Sequence, residues 1–223
     1  MEKKEFYHHA LPDFQQPGQA YFVTWSLFDA IPPKALVNYT DKLHQLFLQI
    51  QEFKKMNGDE LLLNSMKLEF NDTRRNYLKA FDELLHLQQN SIVNLSKESN
   101  SNILMNAFTF WEGKRIQNYA FTILSNHIHW VLNVFDTDEK GNPVYLQDIL
   151  QSVKHYSATV INKIEGINGP LWQKESYDTT IRDETHLYNA IDYTINNPVK
   201  AGLVENWYDW KGTRLFIDFP DIN

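Results

Sequence analysis

Two apolar runs parted by only two turn-forming residues constrain this chain more than any other feature. Arg115 to Leu124 and His127 to Val134 are strand-like, and Ser125-Asn126 alone separates them. That pattern predicts an antiparallel hairpin. Side chains along a strand alternate faces. In Asn126-His127-Ile128-His129-Trp130 the two histidines therefore point one way, and Ile128 and Trp130 point the other, toward a core. At the very start of its strand, His127 is expected to be accessible. Two imidazoles on one face form half of a divalent-metal site. The same pattern also describes two surface histidines on a half-exposed strand, and the local sequence leaves both open.

The remaining chain supplies the layers such a hairpin needs. Residues 1–20 read as an irregular arm broken by Pro12, Pro17 and Gly18, with His8-His9 in a solvated tail. Tyr21 to Phe28 reads as the first strand. From Thr40 the period changes, and Leu43, Leu46, Phe47, Ile50 and Phe53 form one helical stripe that Asn57-Gly58 stops. A second helical pattern follows through Leu68, Tyr77, Leu78, Phe81, Leu84 and Leu85, and a third is expected from Ile103 to Trp111. After a polar loop from Asp136 to Pro143, a strong stripe runs from Leu146 to Ile161. The last helix begins near Glu184, and Asn197-Pro198 is expected to end it, because the residue before proline is pushed out of the α region.

Composition excludes several classes. The 223 residues suit one domain, or one domain with a sizeable insertion. There is no cysteine, which rules out a disulfide framework and a thiolate zinc site and fits a reducing cytoplasm. No apolar run approaches the ~20 residues of a membrane helix, and no signal core follows Met1, so a cytoplasmic protein without a membrane partner is expected. The formal net charge of −7 argues against non-specific gripping of long duplex DNA. It leaves room for a local basic groove or for a metal that offsets phosphate charge.

The second half of a candidate site lies on the last helix. Tyr193 and Asn197 are four residues apart and so share a face. The Asn197 carbonyl oxygen is a hard ligand suited to Mg²⁺ or Mn²⁺. With His127 and His129 it would make a three-ligand site with open positions for a phosphate oxygen. Tyr193, one turn away, would hold its phenol near the polarised phosphorus. Equally, Tyr193 is one of eleven tyrosines, half-buried on an amphipathic helix.

The combination of Leu124-Ser125-Asn126-His127-Ile128-His129, Leu171-Trp172-Gln173, Tyr177-Asp178, Ile181-Arg182-Asp183-Glu184 and the run from Tyr193 through Asn197-Pro198-Val199-Lys200-Ala201-Gly202 to Val204 resembles the REP-associated tyrosine transposases. These form part of the single-tyrosine branch of the HUH endonuclease superfamily. The resemblance extends from Pro17-Gly18 to Trp210. It implies a ferredoxin-like α+β core, with an antiparallel sheet backed by helices and the His pair on a central strand. It implies one HUH domain over residues 1–223, in which 40–102, longer than such a core needs, is a helical insertion. It further implies a transposase-like enzyme that cuts single-stranded DNA beside hairpins. Tyr193 would be the nucleophile that takes the 5′-phosphate, His127 and His129 the ligands of Mg²⁺ or Mn²⁺, and Asn197 the third ligand. Tyr188 is the rival nucleophile but lacks an asparagine four residues on.

Lys154, Trp172, Lys174, Arg182 and Lys200 are the candidate DNA contacts, with Trp172 either stacking an unpaired base or anchoring its loop. A monomer with Tyr193 acting in cis is expected, with a homodimer as the other arrangement. Two departures stand out: Ser125 occupies a position that is commonly proline in the family, and Glu2 and Glu5 dilute a basic N-terminal arm. The acidic balance motivates an alternative, a domesticated protein that binds a DNA or RNA hairpin without cutting it.

Overall fold

The computed structural model describes residues 6–7, 13–14, 16–32, 34–56, 58–87 and 91–218; His8 and His9 lie outside them. The chain divides into two compact units, one made of 1–13 and 31–88, the other of 14–30 and 89–223. The segment read as an insertion, 40–102, falls in the first unit as far as Gln88 and in the second beyond it. In chain order the elements open with two short strands, β1 (Phe6–Tyr7) and β2 (Asp13–Phe14), followed by β3 (Ala20–Ser26).

The first unit is dominated by α1 (Val37–Lys55) and α2 (Glu60–Leu87), which pack on each other. Leu43, Leu46 and Ile50 on α1 and Tyr77, Phe81 and Leu85 on α2 are buried, at the helical spacings that the apolar stripes set. Tyr77 sits edge-on to Tyr39 and stacks on Phe81, each with ring centroids 6.2 Å apart.

The second unit holds the sheet. After α3 (Glu98–Thr109) come β4 (Ile116–Ile123), β5 (His127–Val134), α4 (Leu146–Glu165), β6 (Tyr177–Thr180), α5 (Glu184–Lys200), a 3-10 turn at Trp207–Asp209 and β7 (Thr213–Leu215). The sheet order is β6-β3-β5-β4-β7, and every pairing is antiparallel. Counting β3, β4, β5 and β6 as first to fourth, their order is fourth, first, third, second, with α3 before the second and α4 before the fourth. That is the ferredoxin-like β-α-β-β-α-β arrangement, to which α5 and β7 are added. The expected hairpin is present: Leu124 N–H donates to the His127 carbonyl at 2.9 Å, which leaves Ser125 and Asn126 at the turn.

Alternation gives the sheet two different faces. Trp25 and Trp130 point toward α3, where Phe108 lies 5.8 Å from Trp25 and 4.8 Å from Trp130 between ring centroids. All three rings are fully buried. Trp130 Nε1 donates to Asn118 Oδ1 at 2.6 Å, so the indole meets no polar deficit in that core. The opposite face packs on α5 through Ala120, Val131, Ala190, Ile191 and Ile195. A register shift between Asn118 and Ala120 turns Asn118 to the first face and Ala120 to the second, as a bulge does.

Among the boundaries that differ from the sequence reading, two have a clear physical reason. The third helix starts at Glu98, not Ile103, because polar Asn100 and Ser101 are buried within it and Asn100 Nδ2 donates to Glu165 Oε1 at 2.9 Å. The last helix does not end at Asn197-Pro198 but runs to Lys200 with Pro198 inside. Proline removes only its own N–H. In the final turn the loss is one hydrogen bond, while Ala201 N–H still closes on the Asn197 carbonyl at 2.9 Å. At the other end, the Asp183 side chain caps the helix by accepting from His186 N–H at 2.8 Å.

Phe108 is the test of the α3-side core. Phe108→Ala removes a fully buried ring in contact with Trp25, Trp130 and Phe121. It should lower stability by about 3–5 kcal/mol, read as a reduced urea midpoint.

Candidate functional site

His127 and His129 share the α5 face of β5, with ring centroids 4.9 Å apart and planes at 82°. Both are 1% exposed, so the expectation of an accessible His127 is corrected. It is indeed the first residue of its strand, but β5 is central, and β3 reaches the same level through the Ser26–His127 pair. His127 Nδ1 lies 2.7 Å from Asn126 Oδ1, and His129 Nδ1 lies 2.8 Å from Thr24 Oγ1. Phe22, two residues before Thr24 on β3, stacks on the His129 ring at 5.6 Å and 18°.

Helix α5 brings the remaining candidates over this face. The Tyr193 ring stands edge-on to His129 at 5.3 Å and to Phe22 at 5.7 Å. Lys200 Nζ sits 5.0 Å from the centroid of the same ring. One turn on from Tyr193, Asn197 is fully buried, and its amide nitrogen is 3.1 Å from His129 Nε2. Its Oδ1 is buried and has no hydrogen-bond partner among the described residues. An orphaned carbonyl oxygen in a dry site is costly unless something takes its lone pairs.

The donor set fits a hard divalent cation. Two imidazole nitrogens and one amide oxygen suit Mn²⁺ or Mg²⁺ better than a thiolate-seeking ion.

The five candidate nucleic-acid contacts separate by position. Lys174, Arg182 and Lys200 are exposed. Trp172 is buried, and its Nε1 donates to the Lys154 carbonyl and to Ser157 Oγ at 3.2 and 3.1 Å. Its ring packs edge-on to Trp25 at 6.1 Å. The expected base-stacking face is thus turned into the core, and of the two roles considered for Trp172 the anchoring one is what the geometry provides. Lys154 Nζ points at the same loop and donates to the carbonyls of Gln173 and Glu175 at 3.0 and 3.3 Å and to Ser176 Oγ at 2.8 Å. Its charge is therefore directed at the 173–176 backbone.

Sequence reasoning missed Thr24, Phe22 and, as a partner of His127, Asn126. Asn126 had a signal in its adjacency to His127. Thr24 and Phe22 had none, since only strand pairing brings Thr24 opposite His129.

No family model matches the chain. A Haemophilus influenzae protein named "Putative REP-associated tyrosine transposase" is 32% identical over 98 residues, 42% of this chain and 56% of that protein. The chain resembles the REP-associated tyrosine transposases. The matched segment spans little more than half the length of this curated relative. A solved structure of a REP-associated tyrosine transposase bound to a REP hairpin aligns with 96% of this chain and 82% of its own, at a TM-score of 0.46 and 13% identity.

Lys154 makes the loop's attachment pH-dependent. Burial holds its ammonium below the usual 10.5, at about 8, while Glu175 acts in the opposite sense. Between those values the folded chain binds fewer protons at this group than the unfolded chain, so its contribution to stability rises with pH across that window. Urea midpoints measured from about pH 8 to pH 10.5 should show this component in the wild type and lose it in Lys154→Met.

Proposed function

We propose that this chain is a metal-dependent single-stranded DNA endonuclease and strand transferase that cuts beside hairpins through a 5′-phosphotyrosine intermediate. The observation that carries the reading is the convergence, on one face of one sheet, of His127 and His129 from β5 with Asn197 and Tyr193 from α5. The resemblance to tyrosine transposases names the same four residues.

In this reading the Tyr193 phenol oxygen attacks the scissile phosphorus. The bond from phosphorus to the departing 3′ oxygen breaks as the Tyr193 ester forms. The phenol proton passes to a base or solvent, and the departing oxygen takes up a proton to become a free 3′-OH. The ester keeps the energy of the broken bond, so a 3′-OH can later displace Tyr193 without ATP. A bound Mg²⁺ or Mn²⁺, held by His127, His129 and Asn197, would supply Lewis-acid withdrawal of charge from the phosphoryl oxygens. The protein's own part is orientation: Phe22 and His129, stacked on each other, both stand edge-on to the Tyr193 ring and restrain it. Lys174, Arg182 and Lys200 are exposed cations on this unit, and in this reading they meet phosphates. The Tyr193 ring stands beside His129 of its own chain, which favours action in cis by a monomer. In this reading 1–223 is one HUH domain and 40–102 is its helical insertion.

The net charge of −7 favours one other reading, a hairpin-binding protein that does not cut. One assay separates the two. Incubation with hairpin-bearing single-stranded DNA and Mn²⁺ should yield an SDS-resistant adduct. Tyr193→Phe should abolish it, a loss of at least about 10³-fold on removal of a nucleophile, and Tyr188→Phe should retain it. Hairpin binding unchanged by EDTA, with no adduct under any metal, would establish the non-cutting reading instead. An adduct that survives in Tyr193→Phe would reassign the nucleophile.

A further inference from the structure

We propose that Asn126 and Thr24 are positioning residues that lock His127 and His129 in the Nδ1–H tautomer, so that both imidazoles present Nε2 to a divalent cation. This rests on the metal-dependent reading above and adds to it the residues that prepare the ligands.

A neutral imidazole carries one donor and one acceptor nitrogen, and only the acceptor can bind a metal. The partner of one nitrogen therefore decides which nitrogen is offered. For His127 the partner is Asn126 Oδ1, 2.7 Å from Nδ1. A carbonyl oxygen only accepts, so Nδ1 carries the proton and Nε2 keeps its lone pair. For His129 the direction comes from helix α5, and the strand contact is compatible with it. The Asn197 amide nitrogen, a pure donor, faces Nε2 at 3.1 Å, which makes Nε2 the acceptor. The Thr24 hydroxyl, 2.8 Å from Nδ1, can donate or accept, and accepts here.

The two contacts come from different parts of the fold, yet both accept at Nδ1 in the arrangement that leaves Nε2 to the cation. Asn126 is a turn residue next to its histidine in sequence. Thr24 belongs to the neighbouring strand and meets His129 only through the β3–β5 register. Stacking by Phe22 at 18° further restrains rotation of the His129 ring. Both partners are themselves buried, Asn126 at 1% and Thr24 at 8% exposure, so water competes little for either hydrogen bond.

The test reads the tautomer and the metal separately. In ¹⁵N-labelled, metal-free protein at a pH where imidazoles are neutral, long-range ¹H–¹⁵N correlations should show Nδ1 protonated on both residues. Thr24→Val preserves shape but removes the acceptor, and Asn126→Ala removes the other. Each should weaken Mn²⁺ binding, followed by EPR, by about 10–100-fold. Thr24→Ser and Asn126→Asp retain an acceptor oxygen and should bind Mn²⁺ at least nearly as well as the wild type, which separates tautomer control from damage to the fold. Nε2–H tautomers in the wild type would overturn the proposal. So would Mn²⁺ affinities in Thr24→Val and Asn126→Ala equal to that of the wild type, or serine and aspartate variants that fail to restore binding. A wild type that binds no Mn²⁺ would overturn it together with the metal-dependent reading. Correct tautomers and Mn²⁺ binding without a DNA adduct would support it and remove only the cleavage reading.

Discussion

Strand register is the constraint on which the site depends. One row of residues crosses the sheet as Tyr177, Thr24, His129, Thr122 and Thr213, each opposite the next on the adjacent strand. Directly opposed residues in antiparallel strands put their side chains on the same face. Thr122 and Thr213 are joined by a 2.8 Å hydroxyl contact, and Thr24 holds His129. A slip of one residue in β3 or β5 would send Thr24 or His129 into the tryptophan-lined core and turn Trp25 or Trp130 toward α5. The large aromatic residues on the core face thus enforce the geometry of the polar face.

This division of labour explains how two buried histidines are tolerated. One face of the sheet carries Trp25, Trp130 and Phe108 in a fully buried cluster, which supplies apolar burial. The other face combines an apolar patch around Val131, Ile191 and Ile195 with the polar site at the His127 end of β5. Buried polar atoms there are paired with unusual completeness at the imidazole Nδ1 positions. Asn197 Oδ1, by contrast, is buried without a hydrogen-bond partner among the described residues, on the side chain whose amide nitrogen faces His129.

The path that links α4 to β6 shows how charge can serve architecture. Lys154 and Trp172 were both candidates for nucleic-acid contact by residue type. In the fold, Trp172 donates to the α4 backbone and Lys154 reaches from α4 to the 173–176 backbone. The two residues are reciprocal fasteners, each bridging helix and loop. Gln173 N–H in turn donates to the Ser26 carbonyl at 3.0 Å, so the loop is tied to β3 beside the residue that pairs with His127. Residue type alone does not separate a basic contact from a basic fastener, because the difference lies in which backbone carbonyls happen to be near.

The sequence by itself determined the local elements and the candidate chemistry. Period-two alternation fixed that His127 and His129 share a face, the two-residue gap at Ser125-Asn126 set the hairpin, and a spacing of four put Tyr193 and Asn197 on one side of α5. These are short-range consequences of backbone geometry. Tertiary structure decided what local rules do not reach: that β5 is central, so His127 is buried; that Pro198 stays within its helix; that Trp172 turns inward; and that Thr24 and Phe22 meet His129. Each of these depends on contacts between residues far apart in the chain. Such contacts are selected by the packing of the whole sheet and its helices, for which no single stretch of sequence carries the information.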